Sequence, residues 1–509
     1  MLFVESKTLS HKTSGPRRIH LLEELQKKNL VPLIRSVRLN CFDHVLLSPE
    51  RIGEMETAIA TWTESEKQET YVRGDVFCLS DHVFYLIFND DKSEAPFIRA
   101  GIIYEARTSE PFRKLDSFCR DAHEFLLSEA EPGDIEQEEG VPQWEQGKPS
   151  VPHGFKRFVA KQDTDSLYTS LRRETMSERI RAASMLEDPS ARIFLRHAKE
   201  AHVEGYAAKL LTGDTAEYYE TSIERLEEAG LIEQEVQVSC RKTGHALFRL
   251  PTADALAVVT VSDARCSECG SAVADEKVEE VIAPTRLAAS LLENGSWLIT
   301  RLHHLLREMG IPVNEIALGA SGGDGYGQMM ANICGESFLL LARDGDLTPA
   351  FARWAIDREL ETEASHLVVV ATGRIHNQAE LLLHNHARRR VLAGQDFELI
   401  LADEAAVAGK ELQHAFERVS QRVIAEQMCD LDTSIGLSIS QIIITKFKLL
   451  PTAEGSGPQT HSQGNAPGLS YPTPHLTLAA RASASAAEVL DLRELIPDQP
   501  PDSPEGDSI

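Results

Sequence analysis

Apolar and polar positions alternate between two periods along this chain, and the changes of period mark its parts. Near the start, VRLNCFDHVLLSP (37–49) and DVFCLSDHVFYLIFND (75–90) are dense in apolar residues and read as buried strands. FIRAGIIYEAR (97–107) reads as a third strand, and FRKLDSFCRDAHEFLLSE (112–129) is amphipathic at helical spacing. Residues 1–128 are therefore expected to form a small α+β domain. The stretch 129–155 is acidic, carries Pro and Gly, and is poor in core residues, which predicts a linker. Helical patterns return at 166–188 and 191–211. Thr215 then stands where it would cap a helix with Tyr219, Ile223 and Leu226 on one face and Gly230 at its end. EVQVSC and HALFRL flank the turn Arg241–Lys242–Thr243–Gly244. A helix, a glycine stop and a two-stranded wing make a winged-helix pattern, so 156–282 reads as a helical and winged-helix region.

From 283 to 450 the pattern alternates again. EIALGAS, GQMMANI, SFLLLAR, HLVVVAT and ELILAD read as strands. APTRLAASLLENGSWLITRLHHLLREMG, TPAFARWAIDRELE, NQAELLLHNHARRRVL and 405–430 read as helices. That order predicts an α/β domain with a mixed sheet. From 451 the chain is rich in Pro, Ser, Gly and Thr and is expected to be disordered. Within it, VLDLRELIP (489–497) is a short apolar patch of the kind that docks on a partner.

The chemistry of the last domain centres on GQMMANICGESFLLLARDG (327–345), two apolar strands joined at Cys334–Gly335–Glu336. With the preceding helix and the following "LLLARDGDLTPAFARW", this order resembles the restriction-endonuclease-like nucleases, the PD-(D/E)xK class. The resemblance implies a metal-binding Asp on the first strand of the hairpin and a Glu-x-Lys about a dozen residues later. Two such carboxylates hold a divalent cation that activates water, and Glu and Lys two apart share one strand face. Here Gln328 falls at the Asp, Leu341 at the Glu and Arg343 at the Lys; Glu308 matches the family's helical Glu. Gln adds no negative charge, Leu cannot ligate and Arg cannot act as a base. The resemblance thus implies a degenerate nuclease fold acting as a scaffold, sensor or nucleic-acid-contacting subunit, in a setting such as bacterial restriction or anti-phage defence. The rival expectation is a metal-dependent nuclease with displaced acids, Asp324 with Asp344, although Asp344–Gly345–Asp346 also reads as a strand-closing turn. A winged-helix transcription regulator is the third.

RCSECGS (265–271) has the Cys-x-x-Cys-Gly spacing of a zinc knuckle. Structural zinc needs four ligands, and Cys240 and His245 at the base of the wing would complete a set with Cys266 and Cys269. The alternative is a metal-free turn with buried cysteines. Basic residues gather at Arg241 and Lys242 in the wing and at Arg388, Arg389 and Arg390, which either form a solvated helix face or a ridge for phosphate. The helix before the wing is acidic, which disfavours reading DNA through it. GASGGDGYG lacks the Lys and following helix of a nucleotide loop.

Composition narrows the class. A chain of 509 residues is long enough for roughly two to four domains. Its net charge of −27 repels nucleic acid at long range, so contact with it would have to be local. A protein partner or a homo-oligomer is expected, with contact to nucleic acid as a further possibility. Eight cysteines in such a length do not make a disulfide framework. No apolar run approaches bilayer length and the N-terminus lacks a signal-peptide pattern, so no membrane contact and a cytoplasmic location are expected.

Overall fold

The computed structural model describes residues 1–46, 48–65, 71–89, 96–128, 143–146, 151–161, 176–204, 223–244, 246–252, 254–255, 265–272, 277–293, 295–319, 326–435 and 438–448. The tail from 451, with its apolar patch, lies outside them, as do His245, Asp324 and most of the helix expected before the wing.

The N-terminal sheet is antiparallel throughout, in the order β2-β3-β4-β1-β5. Its strands are β1 (Leu2–Leu9), β2 (Gly74–Cys78), β3 (His82–Asn89), β4 (Phe97–Glu105) and β5 (Glu145–Gln146). The apolar run 75–90 is a hairpin, broken at Ser80–Asp81, rather than one strand. The run 37–49 is not a strand either: it lies largely within helix α2 (Leu33–Leu46). Its apolar residues Leu39, Phe42 and Leu46 recur at three and four residues, the helical spacing. The Asp75 carboxylate accepts from the Ile34 and Arg35 N–H groups, both at 2.8 Å, and so satisfies donors at the start of that helix. The acidic stretch 129–155 is also more than a linker, since β5 within it pairs with Lys7 and Thr8 of β1.

One face of this sheet packs on α1 (Gly15–Lys27), α3 (Pro49–Ser65) and α4 (Pro111–Ser128), with Leu22, Leu25, Ala60, Phe118 and Ala122 against Phe77, Phe84 and Ile102. The other face, bearing Val76, Val83, Tyr85 and Ile103, is covered from the far end of the chain by Ile424, Met428, Leu431 and Ile443.

The central region contributes α5 (His153–Lys161), α6 (Met176–Met185), α7 (Pro189–Glu204) and an antiparallel sheet β7-β6-β8. Its strands are β6 (Ile232–Ser239), β7 (Ala246–Leu250) and β8 (Lys277–Pro284). β6 and β7 pair across the turn at 241–244, and β8 adds a third strand alongside β6 over eight residues.

The C-terminal sheet runs β13-β12-β11-β10-β9. Helices α8 (Arg286–Glu293) and α9 (Ser296–Glu308) precede β9 (Ile316–Leu318), β10 (Tyr326–Ile333) and β11 (Glu336–Arg343). Then follow α10 (Pro349–Thr362), β12 (His366–Ala371), α11 (Asn377–Leu392), β13 (Glu398–Ala402), α12 (Ala405–Ile435) and α13 (Ile439–Lys446). β9, β10 and β11 are antiparallel neighbours; β11, β12 and β13 are parallel. The sheet is buried on both faces, which explains its near-continuous apolar strands. Met329, Ala331, Phe338 and Leu340 face α9 and α12, in a core that also takes in Phe194 of α7. Met330, Leu339 and Leu341 face α5 and α10 through Phe158, Phe351 and Ala355. The β10–β11 hairpin closes on Cys334 and Gly335, both at positive φ (52° and 88°), the backbone that a two-residue turn of matching twist requires.

Helix α12 ties the halves together. At 31 residues it is about 46 Å long. Its first half sets Leu412, Phe416 and Val419 into the core of the C-terminal sheet. Its second half sets Ile424, Met428 and Leu431 on the N-terminal sheet, and the Ser420 hydroxyl between them donates to the Leu2 carbonyl at 2.8 Å. The residues expected as a separate domain at 1–128 are thus completed by residues of the last domain. Among the described residues, no helix is long and apolar enough to cross a membrane.

Candidate functional site

Gln328 pairs directly with Leu341, and Tyr326 with Arg343, so the three positions of the nuclease pattern stand on one face of the hairpin. Leu341 is fully buried in the core formed with Met330, Phe351, Ala352 and Val369. The Arg343 guanidinium donates to the Tyr326 hydroxyl (3.3 Å) and the Thr348 hydroxyl (3.0 Å) and lies over the rings of Tyr326 and Phe351. Gln328 lays its side chain on Gly319, where a Cβ would come within 2.3 Å of Cγ; the glycine makes room for it. Glu308 is not part of this group. It sits on α9, which covers the opposite face of the sheet, and pairs with His304 (3.2 Å) and Arg301 (3.6 Å). A divalent cation needs converging oxygen ligands, and this face offers one amide and no carboxylate among the pattern positions. The residues present do not fit such an ion.

The acids near the hairpin are engaged elsewhere. Asp344, with its side chain 4% exposed, accepts from the Thr372 hydroxyl (2.9 Å) and pairs with Arg196 (2.6 Å) and Arg192 (3.7 Å) of α7. Asp346 accepts from the Arg374 N–H at 2.8 Å, holding the loop after β12 against the loop after β11. Glu336 and Glu398 flank His366 at 2.7 and 3.2 Å, across the starts of three adjacent strands, and take Arg422 and Arg418 as further partners. Burial raises both carboxyls, but the bonds to His366 and the arginines outweigh it and leave them below the usual carboxylate range.

The basic residues divide. Arg388 and Arg389 are exposed on α11. Arg390 does not belong to a phosphate ridge: it pairs at 2.9 Å with the fully buried Glu359, which also meets His386 at 2.5 Å. Sequence reasoning missed this Glu359–His386–Arg390 group. The i, i+4 spacing of His386 and Arg390 puts them on one face of α11, but the Glu that joins them comes from another helix. Arg241 and Lys242 are exposed on the turn after β6.

That turn carries the remaining candidate. Cys240 directly follows β6 and is buried, as is Cys266; Cys269 lies at the surface. Their three sulfurs lie within 4.8 Å of one another, with Cys240 Sγ and Cys269 Sγ 3.4 Å apart. The fold thus brings together three of the four residues expected to hold a metal, from segments 26 residues or more apart. Bonds from the Ser271 hydroxyl and N–H, aided by Cys240, bring the Cys269 thiol down to about 7.

No protein-family model matches this chain, and neither a curated protein nor a solved structure is detectably similar to it.

Proposed function

We propose that this protein is a non-catalytic interaction protein, built on a nuclease-like sheet whose cation site has closed into core, and that it serves as a scaffold or a nucleic-acid-contacting subunit. The observation that carries the reading is Leu341, fully buried and paired across the hairpin with Gln328, where two carboxylates would have to face water and metal. The order of elements supports the resemblance behind it: helix α9, the antiparallel β9–β10–β11, helix α10, then β12 parallel to β11. A setting in restriction or anti-phage defence follows only from that resemblance. Displaced acids gain no support, because Asp344 is occupied by two arginines of α7 and a threonine. Two sheets share one long helix, a frame suited to holding surfaces at fixed separation. Arg388, Arg389, Arg241 and Lys242 are the exposed cations through which phosphate contact would run.

The test is a cleavage assay on single- and double-stranded DNA and RNA with Mg²⁺ or Mn²⁺. The expected outcome is no metal-dependent cleavage by wild type. Robust cleavage that Asp344→Ala or Asp324→Ala abolishes would overturn the proposal in favour of a nuclease with relocated ligands.

A further inference from the structure

Two turns beside the three-stranded sheet are built alike. Cys240–Arg241–Lys242–Thr243–Gly244 and Cys266–Ser267–Glu268–Cys269–Gly270 share one spacing, a Cys, two residues, a fourth position and a Gly. In each, the glycine N–H donates to the carbonyl of the first Cys, at 2.8 Å for Gly244 and 2.9 Å for Gly270. Both glycines have left-handed φ, +73° and +70°, with open space where a Cβ would stand, so each is there for its backbone and not for crowding. In the first turn the Lys242 and Thr243 N–H groups point at the Cys240 sulfur, as does the Thr243 hydroxyl.

Facing each other, the turns present four equivalent positions. Three hold sulfur: Cys240, Cys266 and Cys269. The fourth, which corresponds in the first turn to Cys269 in the second, is Thr243, and it is exposed. Tetrahedral zinc with Zn–S bonds of about 2.3 Å separates its sulfurs by about 3.8 Å. Three sulfurs within 4.8 Å, two of them 3.4 Å apart, need only small shifts to meet that figure.

We propose that Cys240, Cys266 and Cys269 bind one thiophilic cation, Zn²⁺, in a paired-turn centre whose fourth corner is left open to water because Thr243 stands where a fourth cysteine would close it. The assignment differs from completion by His245, which follows the glycine and is therefore one position beyond both matched turns. A closed four-ligand site is structural, whereas a site with three protein ligands keeps a position at which an outside ligand can exchange. The neutral Thr243 hydroxyl adds no charge to the metal; its role is the hydrogen bond to the Cys240 sulfur.

The experiment loads the full-length reduced protein with Zn²⁺ for affinity, by competition with a chromophoric chelator, and with Co²⁺ for spectra. Wild type should take one ion per chain, and Cys269→Ser should lose it. Thr243→Cys should tighten binding by roughly 100-fold and raise the sulfur-to-cobalt charge-transfer absorbance by about one third, from three thiolates to four. Added imidazole should shift the cobalt ligand-field bands of wild type but not of Thr243→Cys, which has no open corner. His245→Ala should change affinity by less than about threefold, well short of what losing a ligand costs. Thr243→Val, which keeps the size of the side chain, should still bind one ion. Failure of the protein to take up an ion would overturn the proposal. So would loss of binding in His245→Ala, or an unchanged affinity and spectrum in a folded, ion-binding Thr243→Cys.

Discussion

Restoring the nuclease pattern should damage this protein rather than repair it. The variant Gln328→Asp/Leu341→Glu/Arg343→Lys puts the acids and the lysine of the family pattern back on one face of the hairpin. At Leu341 the loss starts with a fully buried side chain, worth about 1.5–3 kcal/mol of transfer free energy. Its replacement meets Phe351, Ala352 and Val369 in place of water, and a neutral carboxyl left without a partner there costs a further 1–3 kcal/mol, roughly. At position 343, lysine keeps the charge but gives up the bonds to Tyr326 and Thr348 and the stacking on two rings. The sum is roughly 3–6 kcal/mol, a large share of the stability of an ordinary domain. The penalty should also depend on pH. The buried Glu would titrate well above its unfolded value, so its contribution is most favourable at low pH and is lost as pH rises through the folded pKa. Urea unfolding at pH 5 and pH 8 should show the larger deficit at pH 8, and calorimetry with Mn²⁺ should show no binding. Leu341→Met, which conserves volume, should cost less than about 1.5 kcal/mol and is the control. A triple variant as stable as wild type that binds Mn²⁺ would refute the reasoning, since the cleft would then be open.

The buried Glu359 should be a stability determinant: Glu359→Ala leaves Arg390 and His386 unpaired under α10, with an expected loss of about 2–4 kcal/mol by chemical denaturation. An unfolding midpoint in Glu359→Ala equal to that of wild type would show that this buried group contributes nothing to stability. Burial first, and then the neighbouring Glu315, raise the Glu5 carboxyl to about 7. That group favours the folded state fully below its unfolded pKa and loses its contribution as pH rises to about 7, so Glu5→Gln should be more stable than wild type at pH 8, by about 1–3 kcal/mol, and little different at pH 4. Equal pH–stability curves for the two proteins would dispose of that assignment.

The C-terminal sheet was readable in the sequence because its strands are buried on both faces. Each is a near-continuous apolar run between turns, and every strand expected there forms with its bounds shifted by only a few residues. The N-terminal domain was less readable because density of apolar residues does not specify period. VRLNCFDHVLLSP carries enough of them for a strand, yet Leu39, Phe42 and Leu46 fall on a helical face. What decides between the two readings, the Asp75 carboxylate at the helix start, comes from a residue forty positions away. The strand β1 was missed because LFVESKTL sets four polar residues in a row, Glu5 to Thr8, and so shows no strand period, and its two neighbours, β4 and β5, lie far along the chain.

The same distinction separates what could be read of the candidate sites from what could not. Leu341 and the Cys-x-x-Cys-Gly turn are local features, and their chemistry follows from the residue types. The partners that give those residues their meaning are contacts across the fold. Glu308 looked like a member of the hairpin group because helix precedes hairpin in sequence, but a sheet has two faces, and α9 lies on the other one. Arg390 looked like a surface cation beside Arg388 and Arg389, but one step along a helix turns a side chain by about 100°, far enough to take it from solvent to the buried Glu359. The long helix α12 makes the point at the scale of domains. Its sequence is one continuous helix, and only the faces presented by its two halves, Phe416 and Val419 against one sheet and Ile424 and Met428 against the other, show that it joins them. A break in that helix near Ser420 would therefore act on both sheets at once. A surface placed on either one is held in register with the other by the same thirty-one residues.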